Sequence, residues 1–194
     1  MSATIMANSP ARYFEDLDRV LFDQQTIRER IAEMGAAISS DYLGREVVII
    51  TVLQGGILFM ADLIREIDLP MQIDSISVAS YHGGTESSGK VTFQQKQIPD
   101  VEGKEVIVLD DILDSGRTLA AIVEKLKKEG MPNSIRTAVL LSKQIERTEP
   151  IEADYYGFEI GEEFVVGYGL DYAGRYRNLP VVGVLKKEKI GSAP

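Results

Sequence analysis

Val106–Leu119 reads VIVLDDILDSGRTL. Its first four residues, Val106 to Leu109, form an unbroken aliphatic run that predicts a short buried strand. Asp110 and Asp111 close that strand, and Asp114, Ser115, Gly116, Arg117 and Thr118 turn the chain into a helix. Leu119, Ile122, Val123 and Leu126 share one face of that helix, which stops at Gly130 with Pro132 two residues on.

Each residue type in the turn has a physical use. Gly116 lets the backbone bend close to a ligand. The free N–H groups at the helix start, together with the Ser115 and Thr118 hydroxyls, make a cradle for a phosphate. Asp110, Asp111 and Asp114 put three carboxylates near one strand end, which is costly without a counter-cation. Magnesium, a diol, or both would relieve the repulsion. A plain strand-to-helix turn with Asp and Ser as caps accounts for Asp114 or Ser115. It does not account for Asp110-Asp111 directly after VIVL.

Outward from this stretch, strands and helices alternate. Residues 24–40 predict an amphipathic helix, with Ile27, Ile31, Met34 and Ile38 on one face and a capping box from Thr26 and Glu29. Val47–Leu53 (VVIITVL) predicts a strand buried on both faces. Gly55-Gly56 breaks it, and a helix is expected over Ile57–Ile67. Further strands are expected at Ile73–Tyr81, Ile135–Leu141, Phe164–Leu170 and Val181–Leu185. The Gly- and Ser-rich HGGTESSGK, His82–Lys90, predicts a mobile loop, and residues 1–10 a flexible arm. The alternation argues for an α/β fold with a mainly parallel sheet flanked by helices. Ligands of such sheets sit outside the carboxyl ends of the strands. That directs attention to Gln54–Gly56, Asp110–Arg117, Ser142-Lys143 and Asp171 onward.

Composition narrows the classes of function. A chain of 194 residues suffices for one domain with a sizeable core, so a single domain over 1–194 is expected. The net charge of −9 and the lack of a Lys/Arg cluster argue against a nucleic-acid partner. No apolar run reaches the roughly 18–20 residues of a membrane span, and MSATIMANSP lacks the basic-then-apolar pattern of a secretory signal. With no Cys, disulfides and cysteine zinc sites are excluded, which suits a cytoplasmic protein.

The string VIVLDDILDSGRTL resembles the phosphoribosyl pyrophosphate (PRPP) signature of type I phosphoribosyltransferases: a hydrophobic strand, two acidic residues, two apolar residues, then D-[ST]-G-x-T. Asp110 stands where Glu is commoner. Over roughly residues 13–185 the chain is similar to the hypoxanthine-guanine branch of that family. Leu53–Gly56 (LQGG) resembles its pyrophosphate loop, with Gln54 where many relatives have Lys. Ser80-Tyr81 resembles the pair that opens its mobile lid, here residues 82–97. Lys143 after AVLLS, and GFEIGEEFVVGYGLD at Gly157–Asp171, resemble its purine-reading segments, with Tyr172 and Arg177 following as they do there.

The resemblance implies a type I phosphoribosyltransferase fold with a small hood from the terminal segments. It implies transfer of ribose 5-phosphate from PRPP to a 6-oxopurine, with Mg2+ as cofactor and a homodimer or homotetramer as the assembly. Asp110 and Asp111 would hold the ribose hydroxyls and the magnesium shell, and Ser115, Gly116, Arg117 and Thr118 the 5′-phosphate. Asp114 would be the general base at purine N7. Lys143 would donate to O6, Phe164 would stack on the purine, and the Val165 backbone would read its Watson–Crick side. Asp171 would contact the purine site and a second magnesium ion or its water shell. Arg177, Ser80, Tyr81 and the Gln54-Gly55 backbone would hold pyrophosphate, and the family's counterpart of the Leu53–Gln54 peptide can be cis. Taken alone, Lys143 reads as a solvated strand-end lysine and Phe164 as core; their order along the chain, in register with Asp110–Thr118, raises them above that. Two other readings stay open: the same fold acting on xanthine or a pyrimidine, and a PRPP-sensing regulator without catalysis.

Overall fold

A computed structural model describes residues 11–80 and 91–191, the side chains of residues 11, 12, 79 and 80 excepted. The expected arm at 1–10, Tyr81 and the 82–90 part of the loop lie outside the described residues. In chain order the elements are α1 (Ala11–Phe14), β1 (Leu17–Phe22), α2 (Gln24–Asp41), β2 (Val47–Leu53), α3 (Ile57–Leu63), β3 (Met71–Ser80) and β4 (Val91–Phe93). There follow β5 (Glu105–Leu113), α4 (Arg117–Gly130), β6 (Ser134–Lys143), β7 (Tyr155–Ile160), β8 (Val165–Val166) and β9 (Val182–Leu185), then a 3-10 turn at Lys187–Lys189.

Two compact units are described in turn: residues 31–162, and residues 1–30 with 163–194. The first holds a six-stranded sheet in the order β4-β3-β2-β5-β6-β7. All its pairings are parallel except that of β4 with β3. As the aliphatic runs require, the centre of β2 and β5 is buried on both faces. Val106 and Val108 of β5 pack with Val48, Ile50, Ile76 and Val139 against Leu119, Ile122 and Leu126 of α4. Full burial of each such side chain contributes roughly 1.5–3 kcal/mol. The second unit holds an antiparallel sheet in the order β1-β9-β8 over a core of Leu17, Val166, Tyr176, Leu179, Val181 and Leu185.

Several local expectations are corrected. The strand carrying Asp110-Asp111 does not stop there but runs to Leu113, because β6 continues beside it and keeps its backbone paired as far as Leu113 and Ser142. Asp23, not Thr26, caps α2: its carboxylate accepts the Thr26 N–H at 2.8 Å, three residues into the helix. The helix α3 ends at Leu63, where bonds four residues back give way to bonds three back at Arg65 and Glu66. The helix α4 does end at Gly130, as expected, and the left-handed residue that follows it is Met131 at φ 46°. Only Val165–Val166 of the expected 164–170 strand is extended, since Gly167, Tyr168 and Gly169 all take positive φ. Ile27, Ile31, Met34 and Ile38 are all buried, as their spacing predicts.

Candidate active site

The β5–β6 ladder outruns β2. Pairing of β2 with β5 ends at Thr51 and Leu109, whereas β5 stays paired with β6 to Leu113. Beyond Leu109 the β2 side is taken over by the loop Leu53–Gly56, which starts with a cis Leu53–Gln54 peptide. Gly55 of this loop lies so close to Asp111 that a Cβ there would fall on the Asp111 carboxylate, which would have to move to admit a side chain. Asp110 is 8% exposed, and its Oδ1 accepts the Asp111 N–H at 2.9 Å. Burial, reinforced by the neighbouring Asp111 charge, pushes the Asp110 carboxyl well above the usual range.

The turn that follows is built to leave a helix start open. Gly116 sits at φ 80°, and a Cβ on it would lie 2.8 Å from Ile151 Cγ2 and 3.0 Å from the Glu149 carbonyl oxygen. The Ser115 carbonyl accepts the N–H groups of Thr148 and Glu149 at 3.1 and 3.2 Å, which ties the turn to that segment. Gly116 supplies no side-chain cap to α4, and the first turn of α4 carries no acidic residue. A 14-residue helix begun this way presents N–H groups and a positive dipole end to an anion.

Asp114 lies between the strand end and this turn. Its Oδ2 is 2.9 Å from the Lys143 ammonium, Lys143 being the last residue of β6. The side chain of Lys143 is 14% exposed and that of Asp114 50%, so the pair is open on the carboxylate side. Arg147 supports Lys143 from behind: its guanidinium donates to the Lys143 carbonyl at 3.2 Å and to Ser142 Oγ at 2.9 Å, and pairs with Glu152. Arg147 was not singled out in the sequence; a basic residue four places beyond a strand-end lysine is too weak a signal.

The residue 1–30 and 163–194 unit holds the other candidates. Phe164 is 41% exposed and meets Tyr172 edge to face at 5.5 Å. Val165 is buried in β8, an edge strand whose backbone has a strand partner on one side only among the described residues. Asp171 accepts the Gly174 N–H at 2.8 Å and forms an ion pair with Arg177 Nη2 at 2.7 Å. Arg177 also donates to the Gly169 carbonyl. Ser80 ends β3, paired with Val91 of β4. The structure thus gathers Gln54, Gly55, Asp110, Asp111, Asp114–Thr118 and Lys143 in one unit, and Phe164, Val165, Asp171 and Arg177 in the other.

The acidic end of β5, the open start of α4 and the Asp114–Lys143 pair all lie in the unit of residues 31–162. The family model for the phosphoribosyl transferase domain matches residues 20–173. The chain is 47% identical over 174 residues to the hypoxanthine-guanine phosphoribosyltransferase of Staphylococcus epidermidis, covering 90% of this chain and 97% of that one. It is similar to the crystal structure of a hypoxanthine phosphoribosyltransferase from Staphylococcus aureus, at TM-score 0.87 and 42% identity over 96% of this chain and 99% of that one. A hypoxanthine-guanine phosphoribosyltransferase from Bacillus anthracis matches at TM-score 0.82 and 38% identity, over 88% and 99% of the two chains. The chain belongs to the phosphoribosyltransferase family, and it is an enzyme.

Proposed function

We propose that the enzyme transfers the 5-phosphoribosyl group of PRPP to N9 of hypoxanthine, guanine or both, releasing pyrophosphate and forming IMP or GMP. The observation that carries this reading is the Asp114–Lys143 pair at 2.9 Å. N7 and O6 lie side by side on one edge of a 6-oxopurine. A carboxylate next to an ammonium matches that edge, accepting at N7 and donating to O6. The names of the relatives support the same substrates.

The roles follow from the chemistry of each group. The α4 start with Ser115–Thr118 binds the 5′-phosphate. Asp110 and Asp111 take the ribose hydroxyls and the metal. Their all-oxygen donor set fits magnesium, which is usually held by one or two carboxylates and completed by water and substrate phosphates. When bound, magnesium supplies positive charge against the negative charge that grows on the departing pyrophosphate. Asp171 is assigned to the purine site and to the water shell of a second magnesium ion, because its oxygens are already engaged by the Gly174 N–H and the Arg177 guanidinium.

Asp114 takes the N7 proton as N9 attacks, which makes the purine a better nucleophile. Arg177 and the Gln54-Gly55 backbone hold pyrophosphate. Phe164, exposed on one side, stacks on the base, and the edge-strand backbone at Val165 reads its Watson–Crick side. Ser80, Tyr81 and the 82–97 loop shield the reacting carbon from water; within that loop Val91–Phe93 is a strand bonded to β3. No helix among the described residues is long and apolar enough to cross a membrane. The reading includes a cytoplasmic homodimer or homotetramer, on the strength of the family resemblance.

One assay tests the whole reading. The protein is incubated with PRPP and magnesium, offered hypoxanthine, guanine, xanthine, adenine, uracil and orotate in turn, and nucleotide formation is followed. IMP or GMP should form, and chelation of magnesium should stop it. Product from a pyrimidine alone would replace the purine assignment. PRPP binding without product from any base would point to a regulator.

A further inference from the structure

Tyr176 holds φ 73°, a left-handed conformation that a side chain of this size rarely adopts. Such a conformation persists only where the surroundings over-determine it, and here they do. The residue is 6% exposed. Its ring meets Tyr13 edge to face at 4.9 Å, and its hydroxyl donates to Asp16 Oδ2 at 3.0 Å. The other Asp16 oxygen pairs with Lys189 at 2.7 Å. Lys186 adds an N–H bond to the Asp16 carbonyl at 3.0 Å and an ammonium bond to the Glu15 carbonyl at 2.7 Å. The bond to Lys189 holds the Asp16 carboxyl below its usual range, while burial lifts the Tyr176 hydroxyl to about 12. At neutral pH the phenol is therefore the donor and Asp16 the charged acceptor.

The next residue is Arg177. Its carbonyl accepts the Gly169 N–H at 2.9 Å, its guanidinium pairs with Asp171, and the Tyr176 carbonyl accepts the Leu179 N–H at 3.0 Å. Returning Tyr176 to a negative φ would rotate the chain at this point and swing Arg177 out of those contacts.

We propose that Tyr176 is a positioning residue for Arg177, and that Asp16, locked by Lys189, keeps it in its left-handed conformation. The two terminal segments thereby set the aim of the arginine assigned to pyrophosphate. The proposal rests on that assignment.

The test uses the reverse reaction, IMP plus pyrophosphate, with KM measured for each substrate. Tyr176→Phe keeps the ring and removes one hydrogen bond; Asp16→Asn weakens the same bond from the other side. Each should raise the KM for pyrophosphate roughly 2- to 10-fold and leave the KM for IMP within twofold. Arg177→Gln should raise the pyrophosphate KM on its own, and adding Tyr176→Phe to it should raise it no further. A general loss of structure would instead move both KM values and add to the Arg177→Gln effect. If Arg177→Gln raises the pyrophosphate KM while Tyr176→Phe and Asp16→Asn do not, the positioning role is refuted and the pyrophosphate assignment stands. If Arg177→Gln has no effect, the assignment fails and the proposal falls with it.

Discussion

Replacing Asp114 by Asn should lower turnover with hypoxanthine by about 10²–10⁴-fold, the usual contribution of a positioned base, and leave PRPP affinity nearly unchanged. The reason is local. The 5′-phosphate is assigned to N–H and hydroxyl groups that begin after Asp114, and the ribose to Asp110 and Asp111, which lie before it on β5. An amide at position 114 keeps the shape of the turn but cannot take a proton. Steady-state kinetics with hypoxanthine, alongside calorimetric titration of PRPP with magnesium, separate the two effects. Turnover near that of the unmodified enzyme would remove Asp114 from the chemistry.

The second large effect is expected at Lys143. Its side chain is largely shielded from solvent, and its ammonium is held 2.9 Å from Asp114. A cation placed there donates to O6 but finds no acceptor in the 6-amino group of adenine. A site built around a substrate's hydrogen-bonding group rejects an analogue lacking it by about 10⁴–10⁵ in kcat/KM, so adenine should be a very poor substrate. Lys143→Gln should lower kcat/KM for hypoxanthine roughly 10- to 100-fold, the value of a charged hydrogen bond. It should also narrow the gap to adenine, since an amide both donates and accepts. Kinetics of both bases with both proteins checks this, and efficient use of adenine by the unmodified enzyme would contradict it.

How much of this was legible in advance differed by element. Strands buried on both faces, β2, β5 and β6, announce themselves as aliphatic runs, and α2 and α4 by the spacing of Ile27, Ile31, Leu119 and Ile122. Edge and short strands do not. In β7 the burial pattern lacks the alternation of two, in β1 most residues are exposed or half-buried, and β4 has three residues. Two aspartates look like a strand end, yet β5 continues past them to Leu113. Their tolerance in a ladder depends on β6, which residues 106–113 alone cannot reveal.

The site was legible to a different degree. Asp110–Thr118 carries its chemistry in contiguous residues, so it could be read directly. Lys143, Phe164, Asp171 and Arg177 acquire meaning only through the family resemblance, each being bland by itself. The contacts that hold them, Arg147 behind Lys143 and Tyr176 before Arg177, join positions that are silent in sequence until the fold brings their partners near.

The most direct measurement is a double-mutant cycle on Asp114→Asn and Lys143→Gln, read in kcat/KM for hypoxanthine. Two groups in contact that address one edge of one base act as a unit. Their combined loss should then fall short of the product of the single losses by roughly threefold or more. Losses that multiply to within twofold would show two independent groups, and would contradict the claim that this pair reads the N7–O6 edge of a 6-oxopurine.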